Sequence, residues 1–304
     1  MPAQYIFTAC ASELAAIEFM EKHRWGEYPA CPDCGGMDVY QMRQRKTGER
    51  EKHYRWRCRD CGILYSVRKG TVFEDSRIPL RHWCFAFWRF SISKKGCSAL
   101  EISRALGISY KSAHRMCRCI REAAMHETII KNHEKLDGIV EADETYIGGK
   151  ISHRRGRTKN PWDNKIRVMA IVQRGGRVKF FVMPKSGYDS RALRMRILKE
   201  HVSQESQLMT DGEKCYSSIG KYFKQHEIVN HSAKEYVRGN FHTNSVEGVF
   251  SLVKGGIKGI YHSVSKKYLF HYLSEFEFRH NTRHLSDYDR LSLLIRLADS
   301  RAVL

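Results

Sequence analysis

The rhythm of hydrophobic and polar positions changes several times along this chain. Up to about residue 75 the apolar residues fall in short strand-like runs such as HYRWRC and ILYSVRKG. From about 76 to 128 the strand signal vanishes, and apolar residues recur at the three- and four-residue spacing of helices. From Asp137 the texture alternates strand, turn and helix. GIVEADETYIGG alternates apolar and polar residues as a strand does, with Asp143 near its middle. IRVMAIVQR and VKFFVMPK predict two strands joined through Gly175-Gly176, a hairpin signal. SRALRMRILKEHV predicts a helix, SQLMTDG a short strand ending at Asp211, and HTNSVEGVFSLVK a further helix. Tyr288 to Leu304 predict a terminal helix, and KISHRRGRTKNPWDNK, with Gly156 and Pro161, predicts an exposed basic loop. The division expected is 1–75, 76–128, 129–285 and 286–304, the third region being α/β.

The helical region contains SALEISRALGISYKSAHRMCRCIREA, the pattern of a helix-turn-helix. Ile102 and Leu106 share one face of a first helix, Gly107 can take the positive φ that ends it, and Ser109 can cap the next. The second helix would present Tyr110, Lys111, Ser112, His114, Arg115 and Arg118, a set suited to phosphates and base edges. The alternative is a plain helical hairpin with solvated basic residues. Trp83, Phe85, Phe87, Trp88 and Phe90 read as core.

Charge turns this pattern towards a polyanion. Among 304 residues Lys and Arg outnumber Asp and Glu by 53 to 33, a formal net charge of +20. Clustered basic side chains release counterions when they meet phosphates, so nucleic acid is the expected partner. No apolar run approaches the ~20 residues that span a membrane. Glu13 and Glu18 sit where a secretory signal would be uncharged, so a cytoplasmic, nucleoid-associated protein is expected. Of ten cysteines, four form two CxxC pairs, Cys31/Cys34 and Cys58/Cys61, each running into glycine as CPDCGG and CRDCGI. Two such knuckles supply four thiolates, enough to close a tetrahedral structural zinc site. Tyr54, Arg55, Trp56 and Arg57 beside them could touch DNA or pack the ribbon.

The chemistry rests on acidic residues in three separated pieces: Asp143, Asp211, and a helix on which Asn244 and Glu247 lie at i and i+3 and Lys254 follows at i+7 from Glu247. All three helical positions project from roughly one side. Carboxylates from two strands and one helix can hold two divalent ions roughly 3.5–4 Å apart, the arrangement that activates an attacking oxygen and stabilises a leaving one in phosphodiester chemistry.

At these residues the chain resembles the DDE insertion-sequence transposases with an N-terminal zinc ribbon, of the ISXO-like kind. The resemblance runs nearly end to end, through RW before CPDCGG, YRWRCRDCGILYSVRKGTVFEDSRIPL, VEADETYIGGK, TDGEKCY, VNHSAKEYVRG, HTNSVEGVFSLVKGGIKGIYH and EFEFRHN. It implies an RNase H-like catalytic domain with Mg2+ or Mn2+, cleavage at the terminal inverted repeats of a mobile element, and strand transfer into target DNA. Asp143 and Asp211 match the first two catalytic positions. The third is Glu247 or Asn244, with Glu247 favoured because a carboxylate holds a hard divalent cation better than an amide does. Lys254 matches the basic residue that follows. The chain departs from the family pattern in having Val249-Phe250 after Glu-Gly and Gly255 after the lysine. Synapsis of two DNA ends implies a homodimer or larger assembly on double-stranded DNA. A transposase-derived DNA-binding regulator without catalysis, and a host nuclease that cleaves without strand transfer, are the competing readings.

Overall fold

The computed structural model describes residues 4–148, 165–184, 190–211, 216, 219–229 and 242–299. The expected basic loop, and most of the VNHSAKEYVRG block, lie outside them. The chain divides into two compact units, Met1–Glu127 with His284–Leu304, and Thr128–Arg283.

The first unit opens with two helices, α1 (Gln4–Cys10) and α2 (Glu13–Trp25). The Ser12 hydroxyl accepts from the Ala15 amide at 3.1 Å and so caps α2. A three-stranded antiparallel sheet follows, β1 (Val39–Gln41), β2 (Trp56–Cys58) and β3 (Leu64–Tyr65). The next helix, α3 (Leu80–Ile92), buries Trp83, Phe87 and Phe90, and Phe73 stacks on Trp83 at 4.8 Å. These aromatics are core. The helix-turn-helix pattern forms as α4 (Ala99–Leu106) and α5 (Tyr110–Ile130). Gly107 sits between them at φ 63° and donates to the Ser103 carbonyl, a left-handed stop that other residues adopt only at a cost. Ser109 caps α5, its hydroxyl accepting from the Ser112 amide at 3.2 Å.

The second unit is a five-stranded sheet with helices on both faces. Its strands are β4 (Ile139–Gly148), β5 (Lys165–Gln173) and β6 (Val178–Val182), then β7 (Gln207–Asp211) after helix α6 (Ser190–His201), then β8 (Gln225–Val229). Helices α7 (Asn244–Gly256) and α8 (Leu269–Asn281) complete it. The spatial order is β6-β5-β4-β7-β8. The β4–β5 and β5–β6 pairs are antiparallel, and β4–β7 and β7–β8 are parallel. This is the mixed α/β sheet of an RNase H-like domain.

Strand alternation sorts the core into two layers. Ile147, Val168, Ala170 and Phe180 pack beneath Val246, Val249, Phe250 and Val253 of α7 and Leu273 and Phe276 of α8. Val140, Ala142, Met169 and Leu208 face the other way, against Ile197 and Leu198 of α6.

The last helix, α9 (Asp287–Leu297), belongs to the first unit. It stops before the C-terminal end expected for it. Beyond Leu297 the backbone turns away to accept a hydrogen bond from Val72 at the Ala298 carbonyl and to bridge Asp299 to Thr71. The Asp299 carboxylate then pairs with Arg24 at 2.9 Å. No helix among the described residues is long and apolar enough to cross a membrane.

Candidate active site

The cysteine centre is built by two glycine-ended turns. Gly35 donates to the Cys31 carbonyl and Gly62 to the Cys58 carbonyl, both glycines at a positive φ that carries the chain back over the sulfurs. Cys31 and Cys61 sulfurs lie 3.6 Å apart, as do those of Cys34 and Cys58. All four lie within 4.8 Å of one another. A Zn–S bond of about 2.3 Å gives a tetrahedral S–S edge of about 3.8 Å, so the donor set fits zinc.

Protonation in the cluster supports the same fit. Burial opposes ionisation of Cys31, but the Cys34 and Asp33 amides and the neighbouring thiols outweigh it and bring that thiol down to about 7. At Cys34 the Gly36 amide favours the thiolate, yet the surrounding sulfurs of Cys61, Cys58 and Cys31 push it up to about 12. Crowded sulfurs ionise one at a time until a cation neutralises them. The adjacent Trp56 is a packing residue. Its indole donates to Glu21 of α2 at 2.7 Å, and Arg50 pairs with the same carboxylate at 2.8 Å. Arg55 pairs with Glu51, while Arg57 is exposed.

The acidic residues are placed by the sheet. Asp143 sits mid-strand on β4, half-buried, and its carboxylate accepts from the Glu144 amide at 2.6 Å. Its partner across β5 is Ala170, whose methyl group leaves room beside the carboxylate. On the other side, the parallel register pairs Ala142 with Thr210. One step further, the backbone of Asp211, at the end of β7, comes level with Asp143. Asp143 shares its strand parity with Ile147, which packs in the α7 layer. Glu247 stands exposed in the first turn of α7, accepting from the Thr243 hydroxyl at 3.2 Å. Asn244 and Lys254 are also exposed, on the flank of α7 away from its buried Val246, Val249, Phe250 and Val253. Among the described residues the cysteine cluster is the one compact group of three or more metal-ligand side chains.

Two carboxylates here were not singled out from the sequence. Glu144, next to Asp143, points to the opposite face and pairs with Arg194, with Arg167 at 3.4 Å. Glu141 is wholly buried and binds the start of α7 through the Ser245 and Val246 amides at 2.8 and 3.0 Å. The available signal was the charge itself: an acid at a core-facing position of an apolar strand requires partners. Which partners was not readable, because Arg174 is 33 residues away and Ser245 is 104.

The second helix of the helix-turn-helix presents Tyr110, Lys111, His114, Arg115 and Arg118 to solvent, with Ala113, Met116, Cys117 and Ile120 buried behind them. Ser112 is half-buried, its hydroxyl bonded to that of Ser109 at 2.9 Å. Arg118 is paired with Glu122 at 3.3 Å.

Comparison with known proteins agrees with this layout. Residues 135–281 match the model of the ISXO2-like transposase domain, and residues 11–63 match the transposase zinc-ribbon domain. An uncharacterized protein in transposable element ISH50 of Halobacterium salinarum is 28% identical over 284 residues, covering 88% of this chain and 90% of that protein. Among solved structures, a pre-cleavage Mos1 transpososome overlays at TM-score 0.29 and 11% identity, over 68% of this chain and 74% of that one. A piggyBac transposase synaptic complex with hairpin DNA overlays at TM-score 0.37 and 11% identity, over 77% of this chain and 74% of that one. With its ribbon and its second unit each matched in order, the chain is similar to the ISXO2-like insertion-sequence transposases.

Proposed function

We propose that this protein binds the terminal inverted repeats of an insertion sequence, cuts the DNA there and joins the freed end to target DNA. The observation that carries the proposal is the register of β4 and β7. It sets Asp143 level with Asp211 on adjacent parallel strands, in the domain whose α7 carries Asn244 and Glu247.

The donors suit hard divalent cations, Mg2+ or Mn2+, because Asp143, Asp211 and Glu247 offer only carboxylate oxygens. When bound, two such ions supply activation of the attacking oxygen and stabilisation of the leaving one. The side chains do the rest. Asp143, Asp211 and Glu247 would hold the ions, and through them the reacting phosphate, against the sheet, with Glu247 itself accepting from the Thr243 hydroxyl. Asn244 stands one turn before Glu247 as the alternative third ligand, and Lys254 offers its ammonium to a neighbouring phosphate. In cleavage, a water oxygen bonds to phosphorus as the bond to the 3′ oxygen breaks, leaving a 3′ hydroxyl and a 5′ phosphate. In transfer, that hydroxyl attacks a target phosphodiester and displaces its 3′ oxygen.

Tyr110, Lys111, Ser112, His114, Arg115 and Arg118 would contact the DNA ends. Zinc would hold the ribbon. Two ends must be held together for transfer, so a homodimer or larger assembly would form on DNA.

The test uses a labelled duplex carrying the inverted repeat that flanks the gene, with supercoiled plasmid as target and Mg2+ or Mn2+ added. Metal-dependent nicking together with labelled joined product is expected. Nicking without joining would identify a nuclease, and binding without nicking a regulator.

A further inference from the structure

We infer that Glu141 is a positioning residue for the acidic site: a carboxylate from β4 caps α7 and locks the turn bearing Asn244 and Glu247 to the strand bearing Asp143. The consequence for metal binding rests on the function proposed above; the clamp rests on geometry alone.

A helix leaves its first amides unpaired, and a capping side chain normally accepts from the second or third of them. Thr243 occupies the capping position of α7 but makes no such bond, its hydroxyl turning to Glu247 instead. Glu141 fills the vacancy from the sheet. Oε2 accepts from the Ser245 amide at 2.8 Å and the Val246 amide at 3.0 Å, and Oε1 accepts from the Ser245 hydroxyl at 2.9 Å. Arg174, after β5, donates to Oε1 at 2.9 Å. The same guanidinium donates to the His242 carbonyl at 3.1 Å and to its Nδ1 at 3.2 Å. The segment entering α7 and the first turn of α7 are thus both tied to one carboxylate–guanidinium pair.

Apolar packing alone would not fix this turn so narrowly. Val246, Val249, Phe250 and Val253 make a smooth valine-rich stripe. A shift along the helix axis by one residue's rise moves it by about 1.5 Å while the stripe stays on the sheet. Such a shift would carry Glu247 out of reach of a shared ion. A buried charge contributes little net stability, and fixing register is its best-attested use. Glu141 and Asp143 share strand parity, two residues apart, so the clamp acts directly beside the proposed site.

The experiment compares Glu141→Gln with Glu275→Gln in the full-length, zinc-loaded protein. Glu275 is also a buried carboxylate of the second unit, paired with Arg279 and bonded by Tyr261, but it lies on α8. Mn2+ affinity is read by electron paramagnetic resonance of the free ion, and order at Ser245 and Val246 by amide hydrogen exchange. Glu141→Gln is expected to weaken Mn2+ binding by about tenfold or more, the usual effect of losing a group that orients a ligand. It should also speed exchange at those two amides. Glu275→Gln should lower the melting temperature while leaving both readouts unchanged. If Glu141→Gln does not fold, Ser245→Ala removes one donor from the same carboxylate and should move both readouts in the same direction. Unchanged Mn2+ affinity in Glu141→Gln, or equal weakening in both Glu variants, overturns the inference. Asp143→Asn separates the two proposals: if it binds Mn2+ as wild type does, the metal site itself is misassigned, and exchange at Ser245 and Val246 alone then decides the clamp.

Discussion

The cysteine ribbon and the proposed acidic site would hold a cation by opposite routes. The ribbon draws its four ligands from two short turns of one small sheet. Its sulfurs lie within 4.8 Å of one another without any help from the second unit's strand order. The acidic residues come from a central strand, its parallel neighbour and a helix about 100 residues downstream of the first. They meet only if the sheet assembles in the order β6-β5-β4-β7-β8. The ribbon is therefore a site that makes its fold, and the acidic region a site made by its fold. Metal should matter for stability at the first and for chemistry at the second.

The largest effect should follow zinc removal. A ribbon with a minimal core, Cys31, Cys58 and Tyr65 with a few half-buried neighbours, depends on its metal. A zinc chelator, or Cys34→Ser, should abolish the ribbon's own thermal transition and weaken binding to an inverted-repeat duplex. An unaltered melting curve after chelation would end the comparison. Next comes Asp143→Asn, which should cut DNA cleavage by about a thousandfold, since transition-state charge loses its stabilisation. It should leave both the melting temperature and duplex affinity near wild type. Cleavage at the wild-type rate would sink the catalytic assignment.

A smaller effect sharpens the division of labour. Arg115→Ala should weaken duplex binding and lower the salt slope of log K by about 0.9, one phosphate contact, without altering the cleavage rate of bound DNA. A slope identical to wild type would remove Arg115 from the DNA surface. The smallest effect belongs to Gly107→Ala. Its site has space for a methyl group, but φ 63° strains any residue with a Cβ. A loss of about 1 kcal/mol is expected in chemical denaturation of the first unit.

Much of this molecule was legible where local rules act. The CxxC spacing, the Gly107 stop, the Ser109 cap and the Gly175 turn each concern a few neighbouring residues, and each forms as expected. The alternation in GIVEADETYIGG placed Asp143 on a strand, as found. Helices α1 and α2 were overlooked although Ser12 and Gly26 mark the ends of α2 in the sequence. Strand β8, QHEIV, carries no clear apolar alternation and exists because β7 offers it a parallel edge. α9 ends early for a similar reason, since Thr71, Val72 and Arg24 capture the chain after Leu297.

By itself the sequence determined which donor groups are on offer: soft thiolates in two knuckles, hard carboxylates in a strand–strand–helix series, and basic side chains along one helix. Residue type and short spacing encode these, because they depend on intrinsic donor character and local backbone geometry. Tertiary structure alone decided that Asp143 lies level with the backbone of Asp211 and that Glu144, one residue on, turns to the other layer to meet Arg194. It also decided that Glu141, whose partners no spacing could name, reaches the first turn of α7. Strand order and register are collective outcomes of burying two apolar faces at once, and no local stretch of chain contains them.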